Sequence, residues 1–150
     1  DLSTNDQIVL KTANTTRLTM NATGQTTIVG EGGTTTTNLQ QGLAKAWVHF
    51  NHTAIDGSTD LTGVQDSFNI GSVVDIAAGR ATTNLSSPMS DADHISTGSA
   101  GDASQGAARN LYIDDGGGNT ASAIVTNIEN NASSVTDAEY VAIVTHGSLA

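Results

Sequence analysis

Residues 6–30, DQIVLKTANTTRLTMNATGQTTIVG, form three short stretches of alternating apolar and polar residues parted by turn-forming Asn, Thr and Gly, and no other feature narrows the possible folds as far. In extended backbone successive side chains point to opposite faces, so Ile8 and Leu10, Leu18 and Met20, and Ile28 each lie on one side of their segment. The other side carries Gln7, Val9, Lys11, Arg17, Thr19, Asn21 and Thr27, nearly all polar. One apolar row per segment cannot enclose a core by itself. The pattern therefore predicts a β-stalk in which Ile8, Leu10, Leu18, Met20 and Ile28 form a trimer core, covered by the same stripe of sister chains.

Composition supports β-structure throughout. Sixteen Gly against one Pro, with abundant Thr, Ser and Asn, fit either turn-rich β-structure or disorder; the alternating Val/Ile/Leu segments and a charged fraction of only 13 % decide for β. Aromatic residues make up 3 % of the chain, so few large side chains are available to fill a core. The formal charge is −10, and the five basic residues Lys11, Arg17, Lys45, Arg80 and Arg109 are scattered. Such a chain offers no phosphate-tracking surface, which argues against a nucleic-acid partner and for protein, glycan or its own copies. There is no cysteine for a disulfide or a thiolate metal site. Apolar runs are only a few residues long, too short for membrane insertion by a helix. The chain opens at Asp1 rather than Met, as expected of a processed chain or a piece of a longer one.

Beyond the stalk, residues 31–41 (EGGTTTTNLQQ) lack an apolar face and read as a neck or linker. Residues 42–51 (GLAKAWVHFN) read as a strong strand that seeds a second domain, with Trp47 and Phe50 as its core anchors; a brief helix over 38–46 is the alternative, with Gly42 against it. Short strands follow over 66–70, 72–76, 80–85, 94–97, 107–113, 120–128 and 140–145, parted by turns such as Asp56-Gly57, Ala78-Gly79 and 115–119. Residues 133–139 are compatible with one helical turn. The expected fold is all-β: a trimeric β-stalk over 1–30, a linker over 31–41, and an antiparallel β-sandwich-like head over 42–150.

Chemistry is sparse. His49 and His52 would bind a metal together on a helix, but on a strand their rings project to opposite faces. Asp56 with Asp60, and Asp114 with Asp115, lack the six-oxygen spacing of a calcium loop and read as turn formers. Asp91, Asp93 and His94 are neighbours without a nucleophile or an oxyanion-hole motif, so no catalytic role is expected, and no cofactor or metal. Five glycosylation sequons, at Asn14, Asn21, Asn51, Asn84 and Asn131, follow from the abundance of Asn, Ser and Thr.

At GLAKAWVHFN (42–51), DSFNIGSVVD (66–75), SSPMSDADH (86–94) and YVAIVTHG (140–147) the chain resembles the C-terminal region of tail-fibre-like proteins of tailed bacteriophages, particularly marine ones. The resemblance covers residues 38–150 and departs mainly in the Gly/Ser-rich stretch 98–108. It implies a homotrimeric protein of the virion surface, in contact with other virion proteins and with a host-surface glycan or protein. The expected ligand-facing loops are 98–108, with Gly98, Ser99, Asp102, Ser104 and Gln105, and 114–119, with Asp114, Asp115 and Asn119, since they combine glycine with small hydrogen-bonding side chains. A capsid decoration or head fibre without receptor binding, and a bacterial adhesin or fibre subunit, are the alternatives.

Overall fold

A computed structural model describes residues 7–29, 36–103, 108–114 and 118–150, so that Ser104, Gln105 and Asp115 of the expected ligand loops lie outside the described residues. The fold is all-β, with three antiparallel four-stranded sheets. The chain divides into two compact units, Asp1–Leu43 and Ala44–Ala150.

The first unit is one sheet in the order β1 (Ile8–Thr12), β2 (Thr15–Met20), β3 (Thr26–Val29) and β4 (Thr36–Asn38), followed by the single helical turn α1 (Leu39–Gly42). β1 and β2 are joined by Ala13 and Asn14, both left-handed at φ 49° and 62°, the mirror-image turn whose twist matches that of paired strands. After β2 the Asn21 side chain closes the next turn by accepting the N–H groups of Thr23 at 3.1 Å and Gln25 at 2.9 Å. Pairing sets Ile8 opposite Met20, Leu10 opposite Leu18, and Leu18 opposite Ile28. All five apolar residues therefore share one sheet face, and Leu10 is still 58 % exposed there. The expected linker is in part regular structure: Thr36–Asn38 pair with β3, satisfying an edge that would otherwise be bare.

The second unit packs sheet β6-β5-β12-β9 against sheet β10-β11-β8-β7. The first comprises β5 (Ala46–Phe50), β6 (Val64–Phe68), β9 (Ile95–Gly101) and β12 (Tyr140–His146); the second comprises β7 (Ile70–Ala77), β8 (Arg80–Leu85), β10 (Arg109–Ile113) and β11 (Ala123–Asn130). Val48, Phe50, Val141 and Ile143 meet Val73, Leu85, Ile124 and Ile128 between them in one core. The chain changes sheets between β6 and β7 at Asn69, left-handed at φ 58°. Its side chain donates to the carbonyls of Lys45 and Ser87, both at 3.0 Å, and accepts the Ser87 N–H at 2.7 Å. One amide thus pins the start of β5 and the exit of β8 to the crossing point.

Three expectations are corrected. Trp47 is not a core anchor: in β5 the buried positions are Ala46, Val48 and Phe50, and Trp47, one residue out of phase, faces away at 37 % exposure. The strand starts at Ala46 rather than Gly42, because Leu39–Gly42 belong to α1. Residues 133–139 form no helical turn: Ser133 is left-handed at φ 56° and Val135 bridges to Glu129.

Candidate functional site

Residues expected to form mobile ligand loops are mostly built into the scaffold. Gly98 and Ser99 are interior to β9, opposite Ile143 and Ala142. Asp102 is ion-paired with Arg109, both side chains nearly buried, and its second oxygen accepts the Glu139 N–H at 3.0 Å. The Glu139 carboxylate in turn accepts the Ala103 N–H at 2.8 Å. These bonds clamp both ends of the 102–109 connection to the start of β12. Asp114 receives Arg80 at 2.8 Å, and the Asn119 side-chain oxygen accepts the Val125 N–H at 2.8 Å. Asp102, Asp114 and Asn119 therefore give polar atoms to the fold, and for Gly98 and Ser99 the expected loop is corrected to strand.

The other polar clusters are also structural. Asp60 accepts the Thr62 N–H at 2.7 Å, and hydrogen bonds from the Thr62 backbone and hydroxyl hold its carboxyl below the usual range. Asp91 accepts the Asp93 N–H at 2.9 Å, and His94 lies 3.1 Å from the Thr120 carbonyl. His52 is buried beyond the end of β5, its Nδ1 2.8 Å from an Asp137 oxygen but outside hydrogen-bond alignment. That oxygen also accepts the Gly79 N–H at 2.7 Å, tying the β7–β8 turn to the segment before β12. His49 faces the opposite side, as alternation requires. Among the described residues no three His, Cys, Asp or Glu side chains converge as metal ligands would.

Among the described residues, two apolar surfaces stand open. One is the apolar face of the first sheet. The other is the outer face of β6-β5-β12-β9, where register places Phe68, Trp47, Val144 and Thr97 in one row and Asp66, His49, Ala142 and Ser99 in the next. Tyr140 follows on β12, its ring centroid 4.5 Å from that of His49 and tilted by 51°. Phe68 is 52 % and Tyr140 45 % exposed. Beside Trp47 and His49 an open groove of about 430 Å³ runs over the small side chains Ala142, Thr97 and Ser99. Alternation alone could have flagged this face: Trp47 and Phe50 are three residues apart on a strand and cannot share a side. Compared with family models, with characterised proteins and with solved structures, the chain matches none.

Proposed function

We propose that the chain is a tail-fibre-like structural protein of a bacteriophage virion surface, assembled as a homotrimer through its first unit, with the second unit serving to bind a host-surface glycan or protein. On this reading its work is binding rather than chemistry. The observation that carries it is the first sheet: Ile8, Leu10, Leu18, Met20 and Ile28 are gathered on one face that nothing in their own sheet covers. Burying a large apolar side chain contributes about 1.5–3 kcal/mol, so a stripe repeated in three chains is a strong force for association. Charge is divided to match. The first unit has three acidic and two basic residues, a formal −1, whereas the second has twelve acidic and three basic, a formal −9. The unit that would meet its copies is thus the one that repels them least.

Sedimentation of the full chain at micromolar concentration tests the assembly, with three times the 15.2 kDa chain mass as the expected result. A monomer at that concentration overturns it. Immunolabelling of intact particles tests the location: label on the tail and blocked adsorption are expected, while label on the capsid with adsorption unchanged selects a decoration protein instead.

A further inference from the structure

Three of the five aromatic side chains, Trp47, Phe68 and Tyr140, stand on the outer face of one sheet, while Phe50 alone fills the core. Burial is where an aromatic side chain contributes most to stability, and on this face the three contribute only through cross-strand contacts such as Trp47–Phe68 and Tyr140–His49. Trp47 and Tyr140 stand on β5 and β12, the two central strands of their sheet, and Phe68 on the edge strand β6. The groove beside Trp47 is shallow and runs over small residues, within the size range of about 300–1,000 Å³ usual for small-ligand sites. Polar groups beside it are few: the hydroxyls of Thr97 and Ser99 on β9 and, on the edge strand β6, the exposed Asp66 carboxylate in the row of His49.

From this arrangement we propose that the outer face of β6-β5-β12-β9 is a binding site for a neutral, hexose-containing surface polysaccharide, with Trp47 as the stacking platform. A pyranose ring presents an apolar, slightly positive C–H face, which matches the negative face of an indole or phenol ring, and an equatorial rim of hydroxyls that both donate and accept hydrogen bonds. Thr97 and Ser99 answer that rim, and Asp66 supplies the strong acceptor that sugar hydroxyls favour. Charge selects among polymers. A unit carrying a formal −9 repels anionic polysaccharides and other copies of itself, and a neutral chain meets no such barrier. Each site binds weakly and reversibly because it is open, so useful hold comes from several sites acting on one repeating polymer.

The inference rests on the reading of the second unit as the host-binding part, and it replaces the loops with a sheet face. A glycan array carrying neutral and anionic bacterial polysaccharide fragments, probed with the full-length protein, tests it. Binding to neutral hexose-containing members is expected, reduced at least tenfold by Trp47→Ala and by Ala142→Leu, which fills the groove floor, with the strand circular dichroism retained in both. Trp47 is the sole Trp, so titration with an array-positive oligosaccharide should shift the chain's fluorescence saturably. A blank array, binding confined to anionic glycans, or binding that survives both substitutions overturns the proposal. Conversion of an oligomer to monomer by Trp47→Ala also overturns it, since the face would then be a subunit contact. Sedimentation of the same samples separates the two readings: an intact trimer that ignores glycans defeats only the sugar site, and a monomer that binds them defeats only the trimer.

Discussion

At the scale of single residues the second unit is limited by backbone clearance. A Cβ on Gly98 would lie 2.2 Å from the Ala142 carbonyl oxygen, so β9 cannot keep its pairing with β12 if a side chain is added. Gly98→Ala is expected to destabilise by at least about 3 kcal/mol in chemical denaturation. Gly101→Ala, three residues along, meets nothing within 4 Å and should stay within about 0.5 kcal/mol of the parent. Equal effects would show that strand β9 is free to move. The Asp102–Arg109 pair makes a second demand: it is nearly buried, and Arg109→Ala would leave a carboxylate without its counter-charge. A loss of about 3 kcal/mol is expected, and Asp102→Asn in the same background should recover part of it.

Individual elements show where local chemistry is imperfect. The β1–β2 turn needs two left-handed residues, and Ala13 supplies one of them with a side chain that disfavours that conformation. Ala13→Gly should raise stability by about 0.5–1 kcal/mol, visible as a higher melting midpoint; a fall would mean that the added freedom of the unfolded chain outweighs the relieved strain. The stripe on the first sheet invites the opposite experiment. Leu18 sits in the middle, paired with Leu10 on one side and Ile28 on the other, so Leu18→Asp places a carboxylate at the centre of the proposed trimer contact. Dissociation to monomer with the strand circular dichroism of the second unit retained is the expected outcome, and an intact trimer would move the contact elsewhere.

For the whole molecule the uneven charge has a measurable consequence. In the proposed trimer three second units, each a formal −9, would repel one another over about 30 Å in 10 mM salt but only about 8 Å in 150 mM. Trimer association should therefore tighten as NaCl rises across that range, as read by sedimentation equilibrium. Weakening by salt would point instead to an interface held by opposite charges. Glycan binding through a neutral stacking platform should change little across the same range, which separates the two events in one titration.

Local signals determined much of this protein from sequence alone. Period-2 alternation and turn residues located β1, β2 and β3 and the strand over 80–85, because strand formation and turn closure depend on residues a few positions apart. The same alternation placed Ile8, Leu10, Leu18, Met20 and Ile28 on one face within their segments, and pairing then joined them. What only the tertiary structure decided is what lies against each face. AWVHF offers two sides, Trp47 with His49 or Ala46 with Val48 and Phe50, and residue size favours the first. Its neighbour β12 decided for the second, since Val141, Ile143 and Thr145 bury in register with Phe50, Val48 and Ala46. Likewise Asp102 and Asn119 look like free loop polar groups until Arg109, Glu139 and Val125 are brought to them from other strands. Glu139 is 37 residues from Asp102, and even the nearer Arg109 and Val125 stand at no fixed spacing that sequence could read, so these contacts exist only once the strands have paired.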